Sequence, residues 1–138
     1  MATLEEFIGR WKMTKSENFE EFMKEIGVGL ITRKAAAHLK PTLEILFDGE
    51  KWHWNQYSTF KNTKLEFKLG EEFIDNSPDD KTYKSILVFE NGKLIQRQNK
   101  IKESDHSSVF TSWLEDPTHL VSIYESGGVV CRREYEKE

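Results

Sequence analysis

The side chains whose types and spacing could do chemistry gather near the end of the chain, in Val129-Val130-Cys131-Arg132-Arg133-Glu134-Tyr135-Glu136. Read as a strand, this stretch puts Val129, Cys131, Arg133 and Tyr135 on one face and Val130, Arg132, Glu134 and Glu136 on the other. The first face is apolar apart from Arg133. A guanidinium keeps its charge at any ordinary pH, so turning it inward is costly unless an anion and several acceptors meet it. Two readings follow from the strand alone: a receptor for an anion, or a cation satisfied by a carboxylate of the same chain or snorkelling to water. Other chemistry is thinly provided for. His38, His53, His106 and His119 are scattered singly, with no glycine-flanked nucleophile and no helical ligand pair, so neither catalysis nor a metal or other cofactor is expected. Cys131 has no second cysteine and reads as a small core residue in a reducing compartment.

The elements that must position Arg133 can be followed from the first strand onward. Gly9 to Lys15 alternates, with Trp11 and Met13 on one face. Phe19, Phe22, Met23 and Ile26 then fall at helical spacing in a segment from Ser16 to Ile26, with Asn18 or Ser16 able to cap it and Gly27 and Gly29 to end it. A second short helix is expected from Ile31 to Leu39, stopping before Pro41. Beyond Pro41 the chain reads as about nine strands broken by turn signals, among them Asp48-Gly49, Ser77-Pro78-Asp79-Asp80, Asn91-Gly92 and Ser126-Gly127-Gly128. So many hairpins in one chain favour closure into an antiparallel barrel. Polar residues on both faces of several strands, Asn55 with Gln56 and Gln96 with Arg97, suit an interior that holds water and a ligand better than a dry core.

Size and composition agree with one domain spanning residues 1–138. With 32% charged residues, and no apolar run near the roughly 20 residues of a spanning helix, the chain reads as a soluble globule. The first residues lack the pattern of a secretory signal, which makes the cytosol the expected residence. A net charge of −4 offers no general attraction for nucleic acid. A barrel using Trp52, Trp54 and Tyr57 as an exposed platform for protein or RNA is the rival reading of the aromatic strand.

The order of elements, together with Gly9-Arg10-Trp11-Lys12-Met13, Ser16-Glu17-Asn18-Phe19-Glu20-Glu21-Phe22-Met23-Lys24, Gly27-Val28-Gly29, Thr32-Arg33-Lys34, Lys40-Pro41, Ser58-Thr59-Phe60-Lys61-Asn62-Thr63, Leu69-Gly70-Glu71-Glu72-Phe73 and Asp79-Asp80-Lys81, resembles the intracellular fatty-acid-binding protein family over essentially the whole chain. The resemblance implies a mainly β fold: a ten-stranded antiparallel up-and-down barrel capped by a helix-turn-helix lid. It also implies a non-enzymatic, monomeric carrier of long-chain fatty acids. Arg133 and Tyr135 match the family's Arg-x-Tyr carboxylate site. Phe19, Phe22, Met23, Val28, Thr32, Ala36 and Pro41 match lid and pocket positions, Phe60 the portal gate, and Pro78 and Asp79 the portal turn. Gln98, Phe110, Ser122 and Tyr124 match inward barrel positions. Many members place a second inward arginine on the third-last strand, where this chain has Ser112, or Trp113 if the extra residue near Pro117 is placed differently. That departure leaves room for a less charged head-group, such as a monoacylglycerol or N-acyl amide, and a retinoid is a further alternative. Lys24, Arg33 and Lys34 match a surface patch associated in relatives with nuclear import, and the same face could meet anionic membranes. A nuclear import factor or nuclear receptor, with nuclear as well as cytoplasmic residence, follows as an expectation.

Overall fold

A computed structural model describes residues 2–77 and 80–138 of the chain. Ten strands form one antiparallel sheet: β1 (Gly9–Glu17), β2 (Thr42–Phe47), β3 (Trp52–Tyr57), β4 (Thr63–Phe67), β5 (Phe73–Asn76), β6 (Thr82–Glu90), β7 (Lys93–Lys100), β8 (Ser108–Asp116), β9 (His119–Ser126) and β10 (Val129–Lys137). Two short helices, α1 (Phe19–Glu25) and α2 (Leu30–Ala36), lie between β1 and β2. The strand order β4-β3-β2-β1-β10-β9-β8-β7-β6-β5 is up-and-down throughout, with β10 returning to pair with β1. That pairing nearly closes the barrel and leaves β4 and β5 as the two free edges, as expected for a sheet too wide to stay open.

Alternation sets the interior. Trp11 and Met13 on β1, Leu43 and Ile45 on β2, and Cys131, Arg133 and Tyr135 on β10 are all buried, with their neighbours turned outward. Pairing with β10 slips past Thr14, whose hydroxyl donates to the Glu134 carbonyl at 3.3 Å. Asn91 and Gly92 both have positive φ and join β6 to β7 in a two-residue turn.

The floor holds a contiguous apolar core that includes Trp11, Met13, Leu43, Ile45, Trp52, Phe67, Leu120 and Tyr135. It is plugged from below by a 3-10 turn over Leu4–Phe7 that the periodicity does not announce. Phe7 packs edge-on against Phe89 at 5.8 Å and its carbonyl accepts the Trp11 indole N–H at 2.9 Å.

The lid corrects two expectations. Asn18 does not cap α1: it lies in the left-handed region at φ 67 with no capping bond, and its amide donates to the Val130 carbonyl of β10 at 3.0 Å. The residue turns the chain from strand into lid and ties that corner to the barrel. The second helix ends at Ala36, three residues before Leu39, and a turn spans the distance to Pro41. At its far end α1 rests on the β9–β10 turn, where Gly127, at φ +55, leaves room for Glu25 that any side chain would fill. The Lys81 ammonium donates to the Ile26 carbonyl at 2.8 Å and so joins the end of α1 to the start of β6.

Candidate functional site

Between floor and lid lies a cavity of about 420 Å³, within the roughly 300–1,000 Å³ typical of small-molecule sites. Its upper wall is apolar: Phe19, Phe22 and Met23 from α1, with Ile26, Val28, Ala36, Leu39 and Pro41 following. The helical stripe is therefore lid core and ligand surface at once. Phe22 and Met23 are buried, and Phe22 packs against Phe110 and Tyr124 at 6.0 and 5.5 Å between ring centres.

Arg133 lines this cavity and is 3% exposed. Among the described residues no carboxylate pairs with it. Its guanidinium lies 3.9 Å over the Phe19 ring and 5.9 Å from the Tyr124 ring, one terminal nitrogen reaches the Met13 sulfur at 3.3 Å, and its buried Nε has no partner. Aromatic faces and a thioether stabilise a cation weakly compared with an anion. Among the described residues no same-chain carboxylate makes Arg133 an ordinary internal ion pair.

Beside it, Ser122 sits opposite Arg133 in the ladder and opposite Ser112 on its other side. The two serine hydroxyls share a hydrogen bond of 2.7 Å, both buried. Ser112 thus occupies the inward position on β8. Trp113 faces the other way, under the Lys93 ammonium at 5.2 Å and the Arg132 guanidinium at 5.9 Å.

Tyr135 behaves differently from Arg133. It is 2% exposed, belongs to the floor core and is not on the cavity wall; burial pushes its phenol well above the usual tyrosine range, and its interaction with Tyr124, to which the protonated phenol donates, adds to the effect. Tyr124 itself does reach the cavity.

Of the other residues singled out from the sequence, Thr32, Phe60, Gln98, Phe110, Ser112 and Ser122 all line the cavity. Pro78 and Asp79 lie outside the described residues. Lys24 and Lys34 are exposed and face solvent from the lid, Lys34 paired with Glu20 at 2.7 Å. Arg33 is half-buried and donates to the Val28 carbonyl at 2.9 Å. The exposed aromatic platform does not form: Trp52 is a floor residue, Trp54 faces the cavity, and Tyr57 donates to Glu44 at 2.9 Å. Both tryptophans point inward because β3 alternates with its large residues toward the barrel.

Sequence reasoning missed a polar group on the opposite wall. Asp75, on the edge strand β5, lines the cavity with Gln96 and Gln98. The signal was present as Leu94, Gln96 and Gln98 alternating on one strand, two amides where apolar residues would continue a core.

The comparisons with known proteins agree with this architecture. The family model described as "Lipocalin / cytosolic fatty-acid binding protein family" matches residues 8–138. Fatty acid-binding protein homolog 7 of Caenorhabditis elegans is 67% identical over all 138 residues, covering the whole of both chains. The crystal structure of apo lipid binding protein 8 of the same organism superimposes with a TM-score of 0.98 at 59% identity, over 100% of this chain and 99% of that one. Fatty-acid-binding protein 1 of Echinococcus granulosus gives 0.89 at 35% identity, over 97% and 98%. A ten-stranded barrel, a two-helix lid and a largely apolar cavity thus coincide with identity running along the full chain, which belongs to the lipocalin/cytosolic fatty-acid binding protein family, a family of carriers and not of enzymes.

Proposed function

We propose that the protein is a carrier of long-chain fatty acids, with the ligand carboxylate at Arg133 and the acyl chain running toward the lid. The observation that supports this reading most directly is a cation 3% exposed, facing an apolar cavity, with no anionic partner among the described residues. Removing each methylene from water contributes ~0.8 kcal/mol, so the chain dominates affinity and the head-group fixes class and orientation. Tyr124 reaches the carboxylate from the cavity wall, and Tyr135 supports it from behind through the Tyr124 hydroxyl. Phe60, on the β3–β4 turn and about half exposed, borders the way in, with Lys61 and Lys64 on the same rim.

Arg133→Ala weakens binding of a fluorescent fatty acid by ~2–5 kcal/mol, the range for truncating one partner of a buried charge pair. An unchanged titration sinks the reading.

A second reading rests on Ser112 and Ser122. Where a second cation would complete neutralisation of a carboxylate, this chain offers two hydroxyls, which suit an uncharged acyl lipid such as a monoacylglycerol or N-acyl amide. Its measure is competition: an acyl amide that displaces the fatty acid at equal or lower concentration favours it.

The lid supplies the surface for delivery. Leu30 and Ile31, 59% and 87% exposed, stand at the start of α2, which also carries Lys34, with Lys24 on neighbouring α1. Apolar tips among cations suit transient contact with an anionic membrane, and the same basic face suits a nuclear import factor.

A further inference from the structure

The cavity has a second charged pole. Asp75 turns inward from β5, and its Oδ2 accepts hydrogen bonds from the Ser85 hydroxyl at 2.9 Å, the Gln98 amide at 3.0 Å and the Gln96 amide at 3.2 Å. The donors stand on β6 and β7, with Ser85 directly opposite Gln98 and itself fully buried. Three donors on one oxygen hold the carboxylate in a fixed orientation. Its Oδ1 takes no hydrogen bond from the described residues, and no cation among them pairs with it. Arg133 lines the same cavity, yet the two do not form an ion pair.

A plain alkyl chain laid against this wall takes a carboxylate oxygen out of water and returns nothing, which costs affinity. A hydroxyl on the chain donates to that oxygen instead. Gln96 and Gln98 each commit an amide N–H to Asp75. Arg133 answers to the opposite chemistry, with a buried, unpartnered Nε. A ligand that matches both walls carries an anion at one end and a hydrogen-bond donor part-way along an apolar chain.

We propose that the cavity selects long-chain fatty acids bearing a hydroxyl group on the acyl chain, the hydroxyl donating to Asp75 Oδ1 while the carboxylate meets Arg133. The selection rests on the reading of Arg133 as the carboxylate anchor, and its test separates the two. Affinities are measured by calorimetry for stearic acid and for its monohydroxy isomers with the hydroxyl moved stepwise from the head-group end to the methyl end. At least one internal isomer binds the wild-type protein about tenfold or more tighter than stearic acid, the gain of a hydrogen bond to a charged group. Asp75→Leu brings that ratio to about one, since the acceptor for the hydroxyl is gone. Asp75→Asn, which keeps the side chain's shape, lowers the ratio part-way. Arg133→Gln weakens both acids alike. If no isomer outbinds stearic acid in the wild type, or if the preference survives Asp75→Leu, the inference is overturned. In either case loss of stearic acid binding in Arg133→Gln still upholds the anchor, and its absence removes the anchor instead.

Discussion

Arg133 and its neighbour two residues away on the same face, Cys131, share a burial and differ in what it does to them. Cys131 is 0% exposed, and burial pushes its thiol up to about 11, against a smaller downward pull from Arg133. A thiol that is both enclosed and protonated at neutral pH does not react. Cys131 in the native protein is therefore expected to resist a disulfide reagent at pH 8 and to label only as the barrel opens in urea, at a rate that follows unfolding. Rapid labelling of the native state, measured by absorbance of the released thiolate, would mean that water reaches the β10 wall beside Arg133. Residue identities made this wall legible, because alternation on β10 puts Cys131, Arg133 and Tyr135 on one face. They did not show that Tyr135 sinks into the floor while Arg133 meets the cavity. That division depends on depth along the barrel axis, which a period of two does not encode.

At the scale of elements, the lid's three cations are not equivalent. Lys34 is engaged by Glu20 across the two helices, and the same ammonium holds the Glu20 carboxyl below its usual range. Arg33 secures the end of the α1–α2 turn through the Val28 carbonyl, while Lys24 is exposed. Exchanging all three for glutamate converts the face from attractive to repulsive toward anionic lipid, at ~1 kcal/mol per charge near the surface. Transfer of a fluorescent fatty acid to vesicles rich in phosphatidylserine is expected to slow markedly and to lose its dependence on salt, while transfer to neutral vesicles hardly changes. Nuclear accumulation of the same variant in cells reads the import role. Equal transfer to both vesicle types and unchanged accumulation would leave the trio as an ordinary solvated face. Periodicity located both helices but set their ends too wide, because Asn18 adopts a left-handed turn to bond β10 and α2 gives way to a turn after Ala36. Local spacing reports which face of a helix is apolar; tertiary contacts decide where the helix stops.

For the whole molecule, the strand count and closure were legible because every hairpin carries its own turn chemistry, and ten strands in succession have few other ways to bury one face. The Asp75 wall was not, since Asp75, Ser85, Gln96 and Gln98 are far apart in sequence and meet only on barrel closure; the turn at Leu4–Phe7 is local, but its place under the floor, with Phe7 against Phe89, depends on closure as well. Closure also sets function against stability. Arg133 occupies a buried site with an unpartnered Nε, a loss of about 1–3 kcal/mol for the ligand-free fold. In the proposed complex, bound fatty acid would offset that loss and add its own linkage: ~2.7 kcal/mol at a free concentration a hundredfold above Kd, or roughly 10 °C in Tm for a chain of this size. Arg133→Met, which fills the space without the charge, is therefore expected to melt higher than wild type when both are delipidated and lower than wild type when both are saturated with fatty acid. Differential scanning calorimetry of the four samples reads the crossing directly. A delipidated Arg133→Met that melts below wild type would make Arg133 a structural residue, whereas the crossing identifies a cation kept in the barrel for its ligand at the expense of the empty fold.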